Sequence, residues 1–157
     1  GPAMTTSADA LRTRRRGFAA PGGTHDRVVV LLRKTLPAGI GAVVATVGRD
    51  GAPQQTVMWY ELQGDVVMMN TGVGRVKAGN LRRDPRMSIC VEDGYRYVTI
   101  AGRAELIDDQ EIAQADIAHL AIRYHGEEQG RAMAADFQRQ QRVTIRLAIE
   151  SVVTNGF

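Results

Sequence analysis

The segment Asn70-Thr71-Gly72-Val73-Gly74-Arg75-Val76-Lys77 brings a strand-like end, a glycine-bearing loop and two cations together within one turn of chain. A helix read over 76–83 places Arg75 and Lys77 at its start. Free N–H groups and the positive end of the helix dipole already favour an anion there. Cations are disfavoured at such an end unless something negative sits between them, so the chemistry this segment offers is the holding of an anion, with Thr71 close by. Lys77 is one of only two lysines, the other being Lys34. From spacing alone a solvated polar loop is the plainer reading. The Gly72-Val73-Gly74 step lacks the third glycine and the βαβ context of a dinucleotide loop. No nucleophile elbow and no Walker loop occurs. The acidic pairs Glu92-Asp93, Asp108-Asp109 and Glu127-Glu128 read as solvated turns and helix starts, so no catalytic side chain is assigned. His25, His119 and His125 lack zinc-ligand spacing, and no tightly bound metal is expected. Cys90 lies in an apolar stretch and is expected in the core.

The elements that must position these residues fit into 157 residues, about one domain. The hydrophobic fraction is 44% and the charged fraction 24%, ordinary for a globular protein. The longest apolar runs, over 28–32 and 41–47, fall far short of the ~20 residues that span a bilayer. With one cysteine there is no disulfide framework. The net charge of +3 is carried by residues up to Arg27, where five arginines face two acids. Beyond it fifteen charges of each sign cancel. The body is thus neutral, and no nucleic-acid partner is expected for it. Residues 1–25 read as a mobile basic arm that starts with a cloning remnant, Gly1-Pro2-Ala3, and 26–157 as the folded domain. The arginines at 14–16 are not followed by the apolar region of an export signal, so a cytoplasmic protein is expected.

Asp26 can cap a helix over 27–36. Strand-like runs follow at 41–47, 54–62, 66–70, 87–92 and 97–107, with turn signals at Asp50-Gly51, Gln63-Gly64-Asp65 and Asp93-Gly94. In 54–62, Val57 and Trp59 alternate with Met58, Tyr60 and Leu62. The helix over 76–83 is stopped by Asp84-Pro85. Asp108-Asp109 opens a helix to about 124, a second helix runs over 128–140, and a sixth strand over 142–153 closes the chain. The pattern predicts a mainly β protein with flanking helices, its six short strands forming an antiparallel sheet closed into a small barrel.

Gly48-Arg49-Asp50-Gly51-Ala52-Pro53, Met58-Trp59-Tyr60, Asn70-Thr71, Arg75-Val76-Lys77, Asn80-Leu81-Arg82-Arg83-Asp84-Pro85-Arg86 and Gly102-Arg103-Ala104-Glu105 stand in an order that resembles the pyridoxamine-phosphate-oxidase-like split-barrel proteins. With Arg123-Tyr124-His125-Gly126, the chain is most similar to the actinobacterial deazaflavin-dependent reductases of that superfamily. The resemblance covers about residues 26 to 153. It implies a six-stranded split barrel that pairs as a homodimer, with a flavin-type ring in a groove between subunits. It places the phosphate on Arg75 and Lys77 with Thr71 assisting, and counts Asn70 and Val76 among the cofactor-binding residues. The ring would run along Gln55, Thr56, Val57, Met58 and Trp59, and Tyr97 would come from the other subunit. The cofactor implied is coenzyme F-420, with FMN as the alternative. The reaction implied is hydride transfer to an electron-poor small molecule such as a quinone or activated alkene. An FMN-dependent oxidase or reductase, or a carrier that binds the cofactor without turnover, remains open.

Overall fold

The computed structural model describes residues 40–156. The arm over 1–25 and the helix expected over 27–36 lie outside the described residues. Seven strands form one antiparallel sheet: β1 (Ala42–Val47), β2 (Pro53–Met58), β3 (Glu61–Gln63), β4 (Val66–Gly72), β5 (Arg86–Asp93), β6 (Arg96–Ile107) and β7 (Arg142–Asn155). Their order is β2-β1-β5-β6-β7-β4-β3. The two edge strands, β2 and β3, are neighbours in sequence and are separated only by Trp59 and Tyr60. The sheet must therefore curl until its edges meet at that dipeptide, yet no ladder joins them. This is a split barrel with an open seam rather than the closed barrel that the strand pattern predicts.

The strand count corrects the expected six. The run over 54–62 is two strands, because the backbone at its midpoint bonds to a helix instead of to a strand. Tyr60 N–H donates to the Tyr124 hydroxyl at 3.1 Å, and Tyr60 C=O accepts from Arg123 Nε at 3.2 Å. The side-chain alternation survives the break: Met58, Tyr60 and Leu62 are buried and Val57 is exposed.

The core fills the inside of the curl. Val44, Met58, Tyr60, Val67, Met69, Ile89, Val91, Ile100, Ile145 and Leu147 belong to it. Strand parity corrects the expectation for Cys90. Ile89 and Val91 point inward, so Cys90 points outward and is only half-buried. The long β6–β7 pair bends at a bulge, where Ala101 pairs with Ser151 but Gly102 pairs with Ile149. The unpaired Glu150 sharpens the local twist that rolls the sheet. Gly102 is required there: a Cβ would lie 1.9 Å from the carbonyl oxygen of Ala148.

Among the described residues three helices complete the fold: α1 (Val76–Arg83), α2 (Gln110–His125) and α3 (Glu127–Phe137). Asp109 caps α2 by accepting from Ile112 N–H. The buried residues Ala113, Ile117, Leu120 and Ala121 recur at i, i+4, i+7 and i+8, a single stripe. That stripe packs on β4 and β7, which is why both are buried on both faces near residues 68–71 and 142–144. α3 folds back on α2 with Gly130 against the Ile122 backbone, where a Cβ would come within 2.5 Å.

Candidate functional site

A cleft of about 430 Å3 lies where the ends of β2 and β4 meet the starts of α1 and β7. From the sequence-predicted set it gathers Thr56, Val57, Met58, Trp59, Asn70, Thr71, Arg75 and Lys77. Gln55 and Val76 are exposed and do not line it. Tyr97, on the outer face of β6, does not reach the cleft of its own chain. Sequence reasoning missed Gly72, Ile117, Phe137 and Arg142, which also line it.

One end of the cleft is cationic. Arg75 is the residue before the first turn of α1, its side chain caps no helix N–H, and no acid stands in that turn. The helix start is thus left to an external anion. Lys77, half-buried in the first turn of α1, has its pKa pulled below 10.5 by burial and by the charges of Arg75 and Arg142. Burial, with Arg75 adding to it, likewise lowers Arg142. Among the described residues none of these three cations has a carboxylate within 4.0 Å. Gly72 lies between two of them: a Cβ there would be 3.6 Å from Arg75 Cγ and 3.8 Å from Arg142 Nη1.

The other end is flat and aromatic. Trp59 stacks on Tyr124 with ring centres 5.5 Å apart and planes 18° from parallel. Its edge contacts are His125 at 5.3 Å and Phe137 at 6.3 Å. Between the two ends, Thr56 Oγ1 is buried without a hydrogen-bond partner. Such an orphan is costly unless a ligand completes it. β2 is also a sheet edge, so its outer backbone groups are free of strand partners.

Asn70 is near the cleft but its side chain is committed. Its amide donates to Ala113 C=O at 2.8 Å and Thr144 Oγ1 at 3.2 Å, and Oδ1 accepts from Arg142 Nε at 2.9 Å. Arg82 and Arg86 are taken by Asp108 and Asp84, both at 2.6 Å, on the exposed surface. Arg123 and Tyr124 act from behind, holding the β2–β3 break that carries Trp59. Among the described residues no three His, Cys, Asp or Glu side chains are grouped to hold a metal ion. No described helix is long and apolar enough to cross a membrane.

The sequence model of the pyridoxamine 5'-phosphate oxidase family matches residues 32–155. Among solved structures, the conserved hypothetical protein Rv2991 from Mycobacterium tuberculosis superposes with a TM-score of 0.68 at 26% identity, over 85% of this chain and 84% of that one. An F420 reductase superposes with a TM-score of 0.63 at 27% identity, over 76% of this chain and 94% of that one. PhzG from Burkholderia lata 383 shares the fold at 15% identity, with a TM-score of 0.58 over 83% of this chain and 76% of that one.

Proposed function

Because the chain belongs to the pyridoxamine 5'-phosphate oxidase family, we propose that its cleft holds a flavin-type cofactor and that the protein is a cytoplasmic reductase using coenzyme F-420. One observation carries the reading: a single cleft joins uncompensated cations to a flat aromatic wall with an orphaned hydroxyl. A phosphate-bearing planar cofactor needs both. The 27% identity to an F420 reductase supports the deazaflavin over FMN.

Arg75 and Lys77 hold the phosphate by charge-assisted hydrogen bonds, the arginine as a fork and the lysine as a point charge. Thr71, buried beside them, closes that end. Thr56 Oγ1 and the free edge of β2 bind the polar rim of the ring. Trp59 and Met58 cover its apolar surface and exclude water. The bound cofactor supplies a hydride, so the protein's own task is to hold an electron-poor acceptor, a quinone or activated alkene, at about 3–3.5 Å from it. No carboxylate lines the cleft among the described residues, and the proton that completes the reduction comes from solvent.

We place this chain in a homodimer. Val57, Val43, Cys90, Thr99 and Val153 form one transverse row on the outer face of the sheet, linked pair by pair through the strand register. Val57 is 70% exposed and Val153 42%. A second copy would cover this row and bring its Tyr97 to the groove.

The test is titration of the cofactor-free protein with F-420 and with FMN. Trp59 is the only tryptophan and lines the cleft, so its quenching reports binding at this place. Submicromolar binding of F-420 with weaker binding of FMN is expected, and the reverse order would assign the protein to FMN. Binding of neither, or binding without any change in Trp59 emission, would overturn the proposal.

A further inference from the structure

We propose that Arg142 is a third anion-binding group of the cleft and that Asn70 and Gln140 are positioning residues that aim its guanidinium at the phosphate. This rests on the phosphate reading of the Arg75–Lys77 end and extends it to a strand that the family motifs do not include.

Among the described arginines, Arg142 alone is buried, at 7% exposure. The arginines at 82, 86, 96, 103, 123 and 131 are more exposed, and each lies within 4.0 Å of a carboxylate. The most buried of the described arginines therefore lacks the carboxylate that these six have. Its acceptors are neutral amide oxygens: Asn70 Oδ1 at 2.9 Å from Nε, and Gln140 Oε1 at 2.7 Å from Nη1. The guanidinium also lies over the Phe137 ring, 4.7 Å from its centre. These contacts fix its orientation without neutralising it. Asp116, the nearest acid in this network, is held off by two intervening groups. It accepts from Thr144 Oγ1, which in turn accepts from Asn70. A buried unpaired cation is unfavourable unless a counter-charge arrives. Gly72 pairs with Arg142 across β4 and β7 and leaves the space between Arg142 and Arg75 open to one.

A purely structural Arg142 would also satisfy Asn70 and Phe137, so the test must read charge at the ligand. Gln140 is exposed. Gln140→Glu keeps an acceptor on Nη1 but adds the missing carboxylate. Gln138→Glu puts the same charge on the same segment, away from the contacts of Arg142. Each variant is titrated at low salt with FMN and riboflavin, and with F-420 and its phosphate-free deazaflavin chromophore. Gln140→Glu should weaken binding of the phosphate-bearing form by about tenfold and leave that of the phosphate-free form within twofold, whereas Gln138→Glu should bind both like the native protein. Arg142→Gln, where it folds, should repeat the result. Inorganic pyrophosphate, read as thermal protection, supplies a probe that needs no ring, and Gln140→Glu should abolish that protection.

If Arg75→Ala and Lys77→Ala weaken the phosphate-bearing cofactor while Gln140→Glu does not, the role of Arg142 falls and the phosphate reading stands. Equal weakening of phosphate-bearing and phosphate-free forms by Gln140→Glu would also overturn it. A native protein that binds neither cofactor and gains nothing from pyrophosphate would remove both readings together.

Discussion

The Tyr124 hydroxyl accepts the Tyr60 backbone N–H at 3.1 Å and lies 2.9 Å from the Ile40 carbonyl oxygen, to which it donates. A helix side chain thus takes the place of a strand partner where β2 gives way to β3, and its ring backs Trp59. Tyr124→Phe keeps the stacking and loses both bonds. It should lower stability by about 1–3 kcal/mol, read as a fall in the denaturant midpoint. It should also weaken cofactor binding, because Trp59 is no longer fixed. Unchanged stability would show that the seam is held by other means.

Arg75→Ala and Lys77→Ala should each remove about 1.5–3 kcal/mol of cofactor binding, roughly ten- to a hundredfold in Kd. Both sites are at the cleft rim or half-buried, so melting temperatures should change little. Wild-type affinity in both variants would place the phosphate elsewhere.

Lys77 sets an alkaline limit on binding. Its charge attracts the phosphate, and burial together with Arg75 and Arg142 lowers its pKa from 10.5. As pH rises through that lowered value the charge is lost and cofactor affinity falls. The stability of the cofactor-free protein moves the other way. Between the folded value and 10.5 the unfolded chain binds more protons, so stability rises with pH across that window. Lys77→Arg should shift the affinity loss to higher pH. Titrations across the alkaline range with native and variant protein check both signs.

Gly102 should tolerate no side chain. Alanine there would drive a methyl group into the Ala148 carbonyl, which cannot withdraw without breaking the β6–β7 ladder. Gly102→Ala should cost about 3 kcal/mol. A midpoint within experimental error of native would mean that the bulge can shift register.

Most of the frame is legible in the sequence because it rests on local signals. The helix over 76–83 ends at Asp84-Pro85 as predicted, and the parity of β7 places Ile145 and Leu147 inward. The break at Trp59-Tyr60 is not legible, since alternation continues through it and its cause lies in Arg123 and Tyr124, more than sixty residues on. Arg142 escaped for a similar reason. It joins the site through β4–β7 pairing, which puts Gly72 opposite Arg142, and its one local signal is a cation heading a largely apolar strand. Asn70 was drawn in by its position, but its amide is spent on Ala113, Thr144 and Arg142. Ile117 and Phe137 look like any core residues of a helix.

The proposed ring wall belongs to an edge strand of the sheet, since β2 is laddered to β1 alone. Its amides should exchange with deuterated solvent faster than those of β5 or β6, which are flanked on both sides. A cofactor seated along that margin would act as a surrogate neighbour, and the slowing of exchange would be concentrated in residues 55–59. Loading the protein would then rigidify the rim of the barrel while the interior, already protected, registers almost nothing.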